Sequence, residues 1–304
     1  MLTGIRTGFV SSPYKPPPLG RPAPFLFPPL LIYLKIVTLF KKVKPQLIVI
    51  CLAIRVEITG MEQKLKSHHS IHLVAGGTKG IGRALVDSLC EKDHEVIVVS
   101  RNSPEDSLPS KVTWLKGDVG KPEQFIDSLP ARIDCFTFCP GKIVLGNVKR
   151  LSREKMLMAF SSSVLDAFAL TQAILPQLSE SDQSSIVFLS SVAASLGLPN
   201  HCAISTAKSA LEGFALSLAA DLSPKTRINV VAPTLTGTES ALNLVGGEKA
   251  LPIITSKHPL RRIARPEEVA AAIVFLHSFD ASSITGQVLK IDAGMKGLKF
   301  NDKS

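Results

Sequence analysis

Ile71-His-Leu-Val-Ala-Gly-Gly-Thr-Lys-Gly-Ile-Gly-Arg-Ala-Leu85 is the stretch that decides the fold. Ile71 to Ala75 is a short apolar run and reads as a buried strand. Gly76, Gly77, Gly80 and Gly82 follow at once, and Ile81, Leu85 and Leu89 then recur at helical spacing. Strand, glycine turn and helix together set backbone N–H groups and a helix N-terminus against a phosphate. Glycine is needed because a Cβ would hold the backbone away from the ligand. Four glycines in seven residues are dense for an ordinary tight turn, and the strand before and helix after them complete the pattern of a dinucleotide site.

Outward from this stretch, strands and helices alternate. Glu95–Ser100 is a second strand, nearly all β-branched, and it ends in Ser100-Arg101-Asn102. An acidic residue here would suit the ribose hydroxyl of NAD, whereas a basic one suits the phosphate of NADP. Arg101, with Lys79 inside the glycine turn, therefore points to NADP(H), against the alternative of two solvated surface charges. Val112–Leu115 is a third strand, followed by Gly117-Asp118-Val119. Asp118 either accepts from an adenine amino group or caps a following helix at Lys121-Pro122. Further strands are expected over 134–138, 185–190, 227–232 and 287–291, and long helices over 152–178 and 203–222. The alternation implies a single-domain α/β fold, a doubly wound parallel seven-stranded sheet of the Rossmann kind.

The chain has 304 residues and is 45% hydrophobic, enough for one large α/β domain. Its five cysteines are few and odd in number, and most lie in apolar runs. They read as buried thiols of a reducing compartment, and the location expected is cytoplasmic. Cys135 and Cys139 have no second ligand pair, so no metal is expected. The net charge of +10 is uneven: residues 1–60 carry +7 and the remaining 244 only +3. The folded part thus offers no basic face for nucleic acid.

Residues 1–68 read as a basic, proline-rich extension, with nine of the 21 prolines before residue 46. Its two apolar runs, Leu30–Phe40 and Gln46–Ile54, are each shorter than the roughly 20 residues of a spanning helix. A secretory signal would place the protein away from its reductant, and a transit peptide should be Ser-rich where only Ser11 and Ser12 occur; a natural start at Met61 or a disordered appendage is favoured over a membrane anchor. The Rossmann domain is expected over 69–298 and a tail over 299–304.

Taken together, these motifs resemble the short-chain dehydrogenase/reductase family over about residues 70–298. The glycine signature is Ala75-Gly76-Gly77-Thr78-Lys79-Gly80-Ile81-Gly82, and the Asp-Val pair is Asp118-Val119. Asn229-Val-Val-Ala-Pro233 runs on to Thr238, and Pro259-Leu-Arg-Arg-Ile-Ala-Arg-Pro266-Glu-Glu-Val-Ala270 is especially close. The resemblance implies strand order 3-2-1-4-5-6-7, a homodimer or homotetramer built on the two long helices, and a small-molecule substrate. It also implies cofactor contacts from Gly76, Gly77, Thr78, Lys79, Gly80, Ile81, Gly82, Ser100, Arg101, Asn102, Asp118, Val119, Gly141, Lys208, Pro233 and Thr238.

At the reacting centre the sequence departs from the family pattern. The family uses a Tyr to protonate the carbonyl oxygen, a Lys four residues later and a Ser that bonds the substrate. Lys208 and Ser191 are in place, but the Tyr position is Ile204, which can neither donate nor accept a proton. The helix Asn aligns with Ser163, and Asn-Asn-Ala-Gly aligns with Phe138-Cys139-Pro140-Gly141. Pro199–Glu212 is similar to the segment of enoyl-acyl-carrier reductases in which the Tyr lies seven residues before the Lys. Here that residue is His201, a loop histidine or a displaced proton donor. The catalytic residues expected are therefore Ser191, Lys208 and His201. Two functions remain open: an NADP(H)-dependent reductase of a carbonyl or conjugated enone, or a silent NADP(H)-binding sensor or scaffold. The segment Glu239–Leu260 is rich in apolar residues, which favours an apolar substrate.

Overall fold

Alternation along each strand sorts the side chains onto two faces. A computed structural model describes residues 69–299. The expected extension over 1–68 and residues 300–304 of the tail lie outside the described residues. The seven strands are β1 (Ile71–Ala75), β2 (Glu95–Ser100), β3 (Val112–Lys116), β4 (Cys135–Phe138), β5 (Ser184–Leu189), β6 (Thr226–Pro233) and β7 (Val288–Ile291). They form one sheet in the order β3-β2-β1-β4-β5-β6-β7, with every pairing parallel.

On one face, Leu73 and Ala75 of β1, Ile97 and Val99 of β2, Phe136 and Phe138 of β4 and Ile186 and Phe188 of β5 share a core. Helix α3 (Asp166–Ser179) covers it with Leu170 and Ile174, and α4 (Cys202–Asp221) with Leu211 and Ala215. The intervening residues Val74, Val96, Val98 and Val187 form the other core. Leu85, Val86 and Leu89 of α1 (Gly80–Glu91) seal it, with Val269 and Ile273 of α7 (Pro266–His277). Burying each such side chain stabilises the fold by about 1.5–3 kcal/mol. A one-residue slip would exchange the two faces, so burial on both sides fixes the register.

Two expected helices differ. The stretch 152–178 is not uniform: α2 (Arg153–Phe160) passes through a π turn, Ser161–Leu165, before α3 begins. Such turns insert one residue and favour functional positions. Over Arg153–Ser179 the run is long and apolar enough to cross a membrane by length and composition. Its Ala167, Leu170, Ile174 and Leu178 are, however, spent on the sheet. After β3 there is no α-helix at Lys121-Pro122, only two 3₁₀ turns, Pro122–Gln124 and Ile126–Ser128. Asp118 does not cap them; its carboxylate accepts from the Gly120 amide at 3.2 Å. Cys202 also departs from the expected burial, being exposed at the start of α4.

Candidate functional site

Every parallel strand of this sheet ends at the same edge, and β1 lies between β2 and β4. Chain crossovers leave β1 in opposite directions, which opens a crevice at its carboxyl end. The glycine turn follows β1, Ser100–Asn102 end and follow β2, Asp118–Val119 follow β3, Gly141 follows β4, Ser191 follows β5, and Pro233 and Thr238 end and follow β6. The sheet therefore collects residues from 76 to 238 at one crevice.

The turn is built for close approach. Gly76 and Gly80 adopt φ +77° and +55°, which L side chains rarely tolerate. A Cβ at Gly82 would overlap the Gly76 carbonyl oxygen, and one at Gly77 would lie 2.9 Å from methyls of Val86 and Val98. Gly80 abuts the methyl of Thr238, whose hydroxyl accepts from Ala241 N at 3.3 Å and caps α5 (Glu239–Leu244). Lys79 precedes α1 with extended backbone, and its side chain leaves the first helical amides uncapped. Uncapped amides at a helix N-terminus suit an anionic group, so the turn fits a pyrophosphate.

Deeper in the crevice, Lys208 is 6% exposed and its Nζ donates to the Leu189 carbonyl at 2.6 Å. Burial pulls its pKa down from 10.5 to about 8, against weaker upward pulls from Cys139 and Glu212. The Cys139 thiol is itself pushed up to about 12 by burial and stays protonated. A Cβ on Gly141 would lie 2.9 Å from Lys208 Nζ and 3.3 Å from Ser163 Oγ, so only glycine leaves room for both. The Ser163 hydroxyl, on the π turn, is fully buried with no hydrogen-bond partner among the described residues. An unmet hydroxyl in such a place is costly unless something outside the chain meets it.

Ser191 Oγ accepts from Ala193 N at 3.2 Å and keeps its own proton to donate. Ser205 and Ser209 of α4 donate to the carbonyls of Ala193 and Ala194, each at 2.7 Å, fixing Lys208's helix against Ser191's loop. Ile204 is 4% exposed and lies one turn before Lys208. His201 ends the turn before α4, with Nδ1 2.6 Å from the Pro199 carbonyl. A carbonyl can only accept, so Nδ1 carries a proton and Nε2 is the atom free to meet a ligand.

The family model described as Enoyl-(Acyl carrier protein) reductase matches residues 75–296. The chain belongs to the short-chain dehydrogenase/reductase family. It is 32% identical to a chloroplastic tropinone reductase homolog of Arabidopsis thaliana over 240 residues, 73% of this chain and 74% of that one. A 3-oxoacyl-(acyl-carrier-protein) reductase of Thermotoga maritima is 30% identical over 73% of this chain and 96% of its own. The ligand-free aldohexose dehydrogenase of Thermoplasma acidophilum superposes with a TM-score of 0.70 at 28% identity, covering 76% of this chain and 97% of that one. The oxidoreductases of this family use NAD(H) or NADP(H).

Within this short-chain site the predicted residues do not all meet. Ser100 Oγ accepts from Trp114 Nε1 at 2.8 Å and donates to the Asn102 carbonyl at 2.7 Å, so its hydroxyl braces the end of β2. Arg101 and Asn102 are exposed, and Lys79 is paired with Glu105. His201 lines a separate cleft whose wall includes neither Ser191 nor Lys208. Seven residues of helix put it about 10 Å along the axis from Lys208. Ser163 and Cys139 were left out of the expected site because one alignment position carries no depth. Only the fold shows both beside Gly141 and Lys208. Arg150 and Lys155, which line His201's cleft, were given no role by the sequence, where the basic charge stood out only in residues 1–60.

Proposed function

We propose that this chain is an NADP(H)-dependent reductase whose substrate is a carbonyl compound conjugated to a C=C bond. The observation that carries the reading is the buried Lys208 beside Gly141, Ser191 and the orphaned Ser163 hydroxyl, at the crevice entered by the glycine turn. Gly76–Gly82 would hold the pyrophosphate, Arg101 the NADP phosphate and Lys208 the nicotinamide-side ribose. The bound cofactor supplies the hydride. Ser191 donates a hydrogen bond to the substrate oxygen, and the Lys208 ammonium favours negative charge there. Ile204 supplies no proton, so a saturated ketone, which must become an alkoxide, is a poor substrate. A conjugated system passes through an enolate and needs the acid less. His201 is the nearest candidate donor along α4; since Nδ1–H is held by Pro199, donation from Nε2 requires the imidazolium.

Leu157 and Met158 on α2, Leu165 on the π turn, Phe168 on α3 and Leu216 on α4 are exposed, and they are the surface a homodimer or homotetramer would cover. Light scattering on the full chain reads this; a strict monomer would remove it. The cytoplasm, with its reduced cofactor pool, is the location this reading requires.

Cofactor choice is tested by fluorescence titration with NADPH and NADH. NADPH is expected to bind at least about tenfold tighter, and Arg101→Asp to erase the difference, since a charge-assisted phosphate contact is worth about 1.5–3 kcal/mol. Equal affinities in the unmutated chain would contradict the NADP(H) assignment. A silent cofactor-binding protein is the second reading, favoured by Ile204 alone; tight NADPH binding with no turnover on any enone or enoyl thioester would establish it.

A further inference from the structure

Beside the reacting centre lies an open cleft of about 520 Å³ between the loop ending at Leu151, the first turn of α2 and the turn before α4. Its wall carries Asn147, Arg150, Leu151, Lys155, Asn200 and His201. The two sides are tied together where Gly146 N donates to the Asn200 carbonyl at 2.8 Å. Two cations therefore face one space, together with two side-chain amides and the ring of His201.

Neither cation is neutralised. Arg150 and Lys155 form no ion pair with any described residue. Between residues 142 and 155 the chain places Lys142, Lys149, Arg150, Arg153 and Lys155 against a single acid, Glu154. That acid is not on the cleft wall, and hydrogen bonds from its own backbone amide and from Ser152 hold its pKa below the usual range. Elsewhere Lys79, Arg83, Lys111, Arg132 and Arg262 are each paired to a carboxylate. A cleft lined by unpaired charge of one sign concentrates counter-ions of the other.

We propose that Arg150 and Lys155 select substrates bearing an anionic group, a carboxylate or a phosphate, at the end remote from the reacting carbon. This rests on the reading of the adjoining centre as that of an enone reductase. His201 links the two regions along the chain: it lies on the wall of the cleft and precedes, by about 10 Å along the axis, the Lys208 of the same helix. The substrate class is thus an amphiphile, apolar along its body and charged at one end. Arg150 can present two parallel N–H bonds to either anion, while Lys155 acts as a point charge.

The test compares matched charged and neutral substrates with NADPH and the full chain. β-Benzoylacrylate and its methyl ester report a carboxylate; the crotonyl thioesters of coenzyme A and of pantetheine report a phosphate. The charged member of at least one pair is expected to have the higher kcat/KM by about tenfold per contact. The ratio within that pair should fall toward one in Arg150→Gln/Lys155→Gln and recover partly in Arg150→Lys/Lys155→Arg. It should also shrink as salt is raised, because both cations are exposed. A carboxylate preference without a phosphate preference, or the reverse, identifies the anion. A ratio near one in the unmutated chain, or a preference that survives the double Gln variant, would overturn the proposal while the reductase reading stands. If nothing turns over, calorimetric binding of the same pairs to the NADPH complex decides it. Preferential binding of the charged member, lost in the double Gln variant, upholds the anion site and sinks the reductase reading alone; equal binding overturns the site.

Discussion

Lys208 is a buried cation whose ammonium bonds a carbonyl, that of Leu189, and no carboxylate among the described residues, and that arrangement works against the fold. A drop from 10.5 to about 8 corresponds to roughly 3 kcal/mol of disfavour for the charged form at neutral pH. The sign follows from proton counting: between about 8 and 10.5 the unfolded chain binds the proton that the folded chain has shed. Stability contributed by this residue therefore rises as pH increases through that window. Lys208→Met should raise the free energy of unfolding, measured in urea, by about 1–3 kcal/mol while weakening NADPH binding, a trade of stability for function. A variant that is less stable and still binds cofactor would contradict this. Cofactor-dependent turnover should likewise decline above pH about 8, where the ammonium is lost. At the outer end of the crevice, Lys79 is already held by Glu105. Exposed pairs of this kind are weak, so Glu105→Gln should tighten NADPH by only about twofold to fivefold. A loss of NADPH affinity in that variant would show that Glu105 itself serves the site.

At the scale of elements, the glycine stretch was the most legible feature, because strand, turn and helix each have their own sequence period. All seven strands fell within a residue or two of their expected bounds for the same reason: buried parallel strands are continuous apolar runs. The π turn at Ser161–Leu165 had no such signal, since Ser152–Leu178 keeps a helical pattern across it. The missing helix after Asp118 has a plain cause: Pro122 starts a turn well, but Leu129-Pro130 ends it within two short 3₁₀ pieces. The glycines rank by what a methyl would strike. Gly82→Ala meets backbone at Gly76 and should cost about 2–3 kcal/mol, whereas Gly77→Ala meets the movable methyls of Val86 and Val98 and should cost about 1 kcal/mol. Chemical denaturation of the two variants gives the comparison, and the reverse order would mean that α1 is not seated on the turn as described.

At the scale of the whole described domain, the edge of the sheet opposite the crevice holds three histidines, His72, His94 and His277. His72 sits 4.8 Å from His94 and 5.5 Å from His277, ring to ring. Burial holds His72 well below the ordinary histidine range. Burial, then Arg227 and His94, lowers His277 to about 3, while its ring bonds Thr137 Oγ1 at 2.8 Å and Ser185 Oγ at 3.1 Å. Both stay neutral in the fold and protonate in the unfolded chain below about pH 6.5. Stability should therefore fall as pH drops through 6.5, with His277 alone contributing up to about 2 kcal/mol of loss by pH 5. Thermal unfolding followed from pH 7.5 to 5 checks this, and an unchanged midpoint would contradict the buried, neutral state of His72 and His277. Such contacts join residues 72, 94 and 277, which no local pattern brings together; the same is true of Gly141, Ser163 and Lys208 at the opposite edge.

The central claim is that the protein reduces conjugated substrates without the tyrosine its family uses. It is tested most directly by NADPH oxidation rates with a conjugated enone and its saturated ketone, in the native chain and in Ile204→Tyr. The native chain should turn over the enone and lag on the ketone by about 10²–10⁴-fold, the usual worth of a general acid. Ile204→Tyr, beside Lys208 and Ser191, should recover much of that ketone rate. A native chain that reduces the saturated ketone as fast as the enone would contradict the claim outright.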